Sequence, residues 1–361
     1  MYRLMMGLHS YLREKLLQEY LFPVNYNGYN GNMPATLARV NNTIKRSITP
    51  PPRYPDGKRL IKTETEPTPG CTIEPVKIGA ATVYNQDCLT IFKKLTDNSV
   101  DLIVTDPPYF LDGMDNNWSD TKLKRKKDKS HVIGGLPVGM KFDPKQGIRL
   151  QEFFTKVSEE ALRVLKPGGF MIAFSQGRLF HRLAIGAEDV GFEIRDMLMW
   201  EHNGGQGKAF TQDHFVKKMK MSGVKKQELI TILQGRKTPQ LRPKFEAILL
   251  AQKPKEGTHI NNWLKWKTGL IKTDFEVSQT TVFNFEKPHR EKTIDHMTVK
   301  PLGLMEQIIE VFSIEGQVVL DPFLGSGTTG VAALNKNRKF IGFEIEKRYF
   351  DMSVGRLSKH G

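Results

Sequence analysis

The segment that most constrains the fold is Ser99-Val100-Asp101-Leu102-Ile103-Val104-Thr105-Asp106-Pro107-Pro108-Tyr109. An apolar, β-branched run of this kind reads as a strand buried on both faces, as found in parallel sheets covered by helices. It breaks at once into Asp-Pro-Pro-Tyr. Each proline fixes φ near about −65° and lacks an N–H, so the chain can neither continue as helix nor donate to a neighbouring strand. What this loop offers is acceptors, the Asp106 carboxylate and the Pro107 carbonyl, with the flat ring of Tyr109 beside them. Two acceptors and an aromatic plate suit a planar group bearing an exocyclic amine, such as adenine or cytosine. A simple strand-ending turn is the alternative reading of the tetrapeptide alone.

A second anchor lies far downstream. Val318-Val319-Leu320 runs into Asp321-Pro322-Phe323-Leu324-Gly325-Ser326-Gly327-Thr328-Thr329-Gly330, after which Val331-Ala332-Ala333-Leu334 reads as helix. Strand, glycine turn and helix start make a nucleotide-type site, because glycines admit a ligand close to the backbone and the helix opens with free N–H groups. The segment has no P-loop lysine and does not fit the dinucleotide glycine spacing. A nucleoside without a triphosphate is the expected ligand. About twenty residues on, Phe340-Ile341-Gly342-Phe343-Glu344-Ile345-Glu346 reads as a strand ending in acids, and an acid there binds ribose hydroxyls in other nucleotide folds. Glu344 is the first choice and Glu346 the reserve.

Together, Asp-Pro-Pro-Tyr and Asp-Pro-Phe-x-Gly-Ser-Gly resemble the catalytic and cofactor motifs of the amino-group DNA methyltransferases, which use S-adenosylmethionine (SAM). Their order, catalytic motif first, resembles the permuted β group of that family, and the resemblance covers roughly residues 80–357. It implies an α/β fold with a Rossmann-like, mostly parallel sheet and helices on both faces. Asp106, Pro107, Pro108 and Tyr109 would form the catalytic loop, and Asp321, Pro322, Phe323, Gly325, Ser326, Gly327 and Thr328 the cofactor loop. Asp87 and Cys88 stand where the family carries an acidic residue near the SAM adenine, though Gln86 replaces the more usual Gly and Asp87 also suits a helix N-cap. His296-Met297-Thr298-Val299-Lys300-Pro301 resembles a His-Pro-x-x-Lys-Pro segment that flanks the SAM methionine end, with Met297 in place of Pro. Lys300 is thereby expected beside the cofactor, and His296 is given no proton-transfer role.

The charge balance agrees with a polyanion partner. Fifty-four Lys and Arg against thirty-nine Asp and Glu leave a formal net charge of +15 on 361 residues, and neutralised phosphates release counterions. Ordinary basic solubility gives the same sum. Cys71 and Cys88 are too few for a disulfide framework, and no apolar run approaches the ~18 residues of a membrane span. A cytoplasmic protein of bacterial or phage origin is expected, with double-stranded DNA as partner, no membrane and no metal.

Organisation follows from composition along the chain. Residues 1–75 read as a partly disordered arm, with Asn-Gly pairs and eight of the twenty prolines inside residues 1–70. Residues 76–200 alternate strand and helix at βαβ spacing and form the catalytic half. Helices are expected over 89–95, 150–165 and 178–190, and strands over 81–84, 170–174 and 192–200. Residues 201–295 break the alternation and form a variable insert for target recognition, with one core strand near 245–251. Residues 296–361 are the SAM-binding half. Two basic clusters are candidates for phosphate contact: Lys122, Lys124, Arg125, Lys126 and Lys127 after the catalytic loop, and Lys217, Lys218 and Lys220 in the insert, followed by Lys225 and Lys226. A run like 122–129 is usually a solvated loop, but its place a dozen or so residues after the catalytic motif suits a phosphate-tracking loop at least as well. Trp263 and Trp266 with Lys267 suit base stacking or a small hydrophobic cluster.

The reaction implied is methyl transfer from SAM to the N6 amine of an adenine flipped out of the duplex. In the family Asp-Pro-Pro-Tyr leans toward adenine N6 and Ser-Pro-Pro-Tyr toward cytosine N4, so N4-cytosine is the alternative. Methylation of protein glutamine, as by related Asn-Pro-Pro-Tyr enzymes, and a non-catalytic binding module are further alternatives. The resemblance also admits a homodimer and a cognate restriction enzyme, as in restriction-modification systems.

Overall fold

The computed structural model describes residues 74–108, 146–203, 209, 211–239, 241–273, 280–288 and 299–360. Tyr109, Lys122, Lys124, Arg125, Lys126, Lys127, His296 and nearly all of the expected N-terminal arm lie outside them.

The strand expected before Asp-Pro-Pro-Tyr forms, and it sits inside a nine-stranded sheet. The strands are β1 Val76–Ile78, β2 Ala81–Tyr84, β3 Val100–Thr105, β4 Leu165–Ser175, β5 Glu193–Glu201, β6 Phe245–Gln252, β7 Val282–Asn284, β8 Val318–Asp321 and β9 Lys339–Phe343. Their order across the sheet is β1-β2-β9-β8-β3-β4-β6-β5-β7. From β2 to β4 every pairing is parallel; β6 then runs antiparallel between β4 and β5, and β1 pairs antiparallel with β2 at one edge.

Alternation along each strand builds two apolar layers. Leu102 and Val104 of β3, with Ile172 and Phe174 of β4, face a cluster closed by helices Leu302–Phe312, Thr328–Asn335 and Lys347–Leu357. Ile103, Met171 and Ala173 face the opposite cluster, closed by helices Cys88–Phe92, Gln146–Val164 and Phe180–Glu188. Every residue of β3 is buried, including Asp101 and Thr105, as expected of a strand covered on both sides. In chain order the helices are α1 Cys88–Phe92, α2 Gln146–Val164, α3 Phe180–Glu188, α4 Asp213–Lys218, α5 Gly223–Ile232, α6 His259–Trp266, α7 Leu302–Phe312, α8 Thr328–Asn335 and α9 Lys347–Leu357. None of the described helices is long and apolar enough to cross a membrane.

Boundaries move where backbone pairing outweighs local pattern. Strand β4 begins at Leu165, five residues before the expected Phe170, because Val100 pairs with Leu165 across a bulge and Leu102 with Phe170. Strand β9 stops at Phe343, so Glu344 and Glu346 lie just beyond its end. The insert contains α4, α5, α6 and β7 besides the expected strand β6.

Candidate active site

The chain leaves β3 toward β4 and leaves β8 toward β9, on opposite sides of the seam where β3 and β8 pair. Such a reversal opens a crevice at the carboxyl ends of the two strands, the usual ligand site of an open α/β sheet. Two buried aspartates clamp this seam. At its amino end Asp101 accepts from the Val318 N–H at 2.9 Å and pairs with Lys166 at 2.7 Å. At its carboxyl end Asp321 accepts from Thr105 Oγ1 at 2.8 Å, the Phe323 N–H at 3.0 Å and Thr329 Oγ1 at 2.6 Å. Burial pushes the Asp321 carboxyl up to about 6, against the opposing pull of these hydrogen bonds. Asp321 therefore ties β3, β8 and α8 together, and its oxygens are occupied by protein donors.

The cofactor-type loop is shaped by its glycines and by Glu344. Gly325 and Gly327 adopt φ of +50° and +77°, a region other residues enter only with strain. The Gly325 N–H donates to Glu344 Oε2 at 2.8 Å and the Glu346 N–H to Oε1 at 2.9 Å. Asn85 Nδ2 donates to the Glu344 carbonyl at 2.8 Å, which brings the end of β2 to the same place. Burial holds the Glu344 carboxyl above its usual value, although both backbone N–H groups act the other way. From α9, Arg356 donates to the Ser326 carbonyl at 2.5 Å and to Thr328 Oγ1 at 3.0 Å, fixing the far side of the loop. Pro322 is buried and Phe323 packs against Phe153, ring centroids 5.8 Å apart.

The carboxylate of Asp106 is half-buried one residue past β3, with Pro107 and Pro108 following. It takes a 2.5 Å ion pair from Lys300, which is only 7% exposed and reaches it from just before α7. The same ammonium lies 3.3 Å from Glu246 Oε2 and 4.9 Å above the Phe174 ring. Lys287 in turn stands 3.7 Å from Glu246. Burial works against the charge on Lys300, but Asp106 and Glu246 outweigh it and raise its pKa above the ordinary lysine value. Lys300, expected beside the cofactor, is ion-paired with Asp106. Glu246 was not among the expected site residues. Its signal was an acid near the start of the otherwise apolar strand Phe245–Gln252.

Asp87 is the N-cap of α1, one carboxylate oxygen accepting from the Thr90 N–H at 3.0 Å and from Thr90 Oγ1 at 3.2 Å. Cys88 is buried, and burial with the neighbouring Asp87 charge pushes its thiol far above the ordinary range. A group held neutral in this way is a poor nucleophile. In the insert, Lys217 and Lys218 close α4, Lys220 follows it, and all are exposed. Lys226 instead folds back to donate to the Lys217 carbonyl at 3.0 Å. Trp263 and Trp266 are partly buried on α6, and the Lys265 ammonium sits 4.9 Å from the Trp266 ring centroid.

Residues 100–355 match the family model of the N6/N4 DNA methylases. The chain belongs to this family. Among curated relatives, this methylase is 31% identical over 299 residues to the type II methyltransferase M.HindIII of Haemophilus influenzae, covering 76% of this chain and 94% of that one. It is 27% identical over 278 residues to the type II methyltransferase M.HpaI of Haemophilus parainfluenzae, covering 75% and 72%. Among solved structures, the methylase shares the fold of the PvuII DNA methyltransferase (cytosine-N4-specific), with a TM-score of 0.52 at 16% identity over 78% of this chain and 87% of that one.

Proposed function

We propose that this methylase transfers a methyl group from SAM to the exocyclic N6 amine of an adenine flipped out of double-stranded DNA. The observation that carries the reading is the placement of Asp106, at the end of β3, beside the glycine loop that follows the adjacent strand β8. A methyl acceptor and a methyl donor must meet across such a crevice, and this one brings an acceptor-rich loop and a nucleoside-type loop to one edge.

The residues present fit SAM. Each oxygen of Glu344 receives one backbone N–H and keeps acceptor capacity for a ribose hydroxyl. The glycine loop leads directly into the opening turn of α8, whose first N–H groups have no partner within the helix. Glu344, the backbone of residues 325–328 and the α1 start at Asp87 and Cys88 would hold the cofactor. When bound, it supplies an electrophilic methyl group carried on a sulfonium centre.

The protein's own contribution is positioning and charge. Asp106 accepts one hydrogen of the target amine and the Pro107 carbonyl the other, which draws the nitrogen lone pair out of conjugation with the ring. Tyr109, next along the loop, stacks on the extruded base and offsets an unstacking cost of a few kcal/mol, roughly. Asp106 need not be a strong base, since the amine proton leaves after the nitrogen has become positive. Holding the reacting groups in line accounts for most of the rate.

The choice of adenine rests on Asp, in place of Ser, ahead of Pro107-Pro108-Tyr109. The test is to incubate the purified protein with SAM and unmethylated DNA, digest to nucleosides and identify the products by mass spectrometry. N6-methyladenine is the expected product. N4-methylcytosine alone would overturn the base assignment, and methyl transfer to protein but not to DNA would overturn the substrate class.

A further inference from the structure

We propose that Glu246 is a positioning residue for the methyl-transfer step: from β6 it grips the Lys300 ammonium and so sets how Lys300 orients and charges Asp106 for the target amine. This deepens the function proposed above and rests on Asp106 being the amine acceptor.

The antiparallel course of β6 places Glu246 there. Because β6 runs against β4, its first residues, and not its last, lie at the edge where β3 and β4 end; Ala247 pairs with Ser175, and Glu246 with Trp200 of β5. An acid at the start of β6 therefore arrives beside the catalytic loop. Lys300 lies between the two carboxylates, 2.5 Å from Asp106 Oδ2 and 3.3 Å from Glu246 Oε2, with the Phe174 ring against it. At 7% exposure its ammonium has little water to turn to. Two acids share one buried cation, and the balance between them sets how much of the Lys300 charge falls on Asp106.

That balance bears on the reaction. An Asp106 carboxylate fully neutralised by Lys300 would accept weakly from the target amine, and an Asp106 without Lys300 would lose the ion pair that helps to orient it. Glu246 holds the ammonium back from the first extreme while Lys300 prevents the second. Lys287, 42% exposed and 3.7 Å from Glu246, limits the negative charge accumulated at the outer end. Glu246 touches neither base nor cofactor in this scheme and acts only through Lys300.

Single-turnover methyl transfer, measured at saturating SAM and DNA for Glu246→Gln, Glu246→Asp, Lys300→Met and the Glu246→Gln/Lys300→Met double variant, tests this. Glu246→Gln is expected to slow transfer about 10- to 100-fold, while the dissociation constants for SAM and DNA stay within about threefold. Glu246→Asp, which keeps the charge, should transfer faster than Glu246→Gln. In the Lys300→Met background, Glu246→Gln should change the rate by less than about threefold, because its only route to Asp106 is already gone. A wild-type rate in Glu246→Gln, a loss that appears in SAM affinity, or the same loss with and without Lys300 would each overturn the positioning role. Wild-type protein that methylates no DNA base would overturn the proposed function itself, and this inference with it; that outcome is read from wild type alone and so is distinct from the others.

Discussion

Asp106 and Asp321 are both acids at the carboxyl edge of the sheet, yet their surroundings assign them different work. Asp106 is half-buried and faces a cation, whereas Asp321 is 2% exposed and filled by three protein donors. Replacing Asp106 by Ala should lower methyl transfer by about 10³-fold or more while leaving SAM affinity nearly unchanged, as measured by nucleoside analysis and equilibrium binding. For Asp321 the prediction concerns stability. Its carboxyl is raised from 3.8 to about 6 in the fold, so between these pH values the folded protein holds a proton that the unfolded chain has released. Stability from this group is therefore greatest below pH 4, falls as pH rises from about 4 to 6, and is level above. Asp321→Asn removes that fall. Relative to wild type, the variant should gain up to about 3 kcal/mol between those limits, read from denaturant unfolding across the pH range.

At the scale of elements, the cofactor-type loop depends on how closely α8 and α9 approach the sheet and each other. A Cβ at Gly330 of α8 would lie 2.7 Å from Phe340 and 2.8 Å from Leu357, inside van der Waals contact. Gly330→Ala is expected to cost about 1–3 kcal/mol and to lower the melting temperature, because α8 would have to move off β9. Gly355, on the exposed side of α9, has no atom within 4 Å of the same position. Gly355→Ala should raise stability by about 0.5–1 kcal/mol through helix propensity alone. The pair separates close packing from backbone entropy in neighbouring helices, and calorimetry of both variants reads the difference.

Across the whole molecule, the net charge of +15 predicts DNA affinity that weakens steeply with salt. Lys217, Lys218 and Lys220 are exposed on and just after α4 and are proposed to meet phosphates rather than bases. Changing all three to Ala should reduce the slope of log K against log salt by about 2–3, nearly equally for every DNA sequence. An unchanged slope would place the DNA track elsewhere. The opposing outcome at sequence level, lost discrimination with the slope intact, would mean that this cluster reads bases.

The sequence by itself determined the parallel core and the two loops that meet in it, because their signals are local. A strand buried on both faces shows as a mostly apolar run, Pro107 and Pro108 fix their own φ, and the glycines of Gly-Ser-Gly mark a turn that needs positive φ. The helix expected over 178–190 likewise forms as α3, Phe180–Glu188. Other features needed partners distant in the chain. Strand direction leaves no mark in side-chain alternation, so the antiparallel turn of β6, and with it the arrival of Glu246 beside Asp106, was decided only by pairing with β4 and β5. Lys300 and Asp106 stand 194 residues apart, and no local pattern couples them. A charge finds its counterion by burial in three dimensions, and that is set when the sheet closes rather than by the residues on either side.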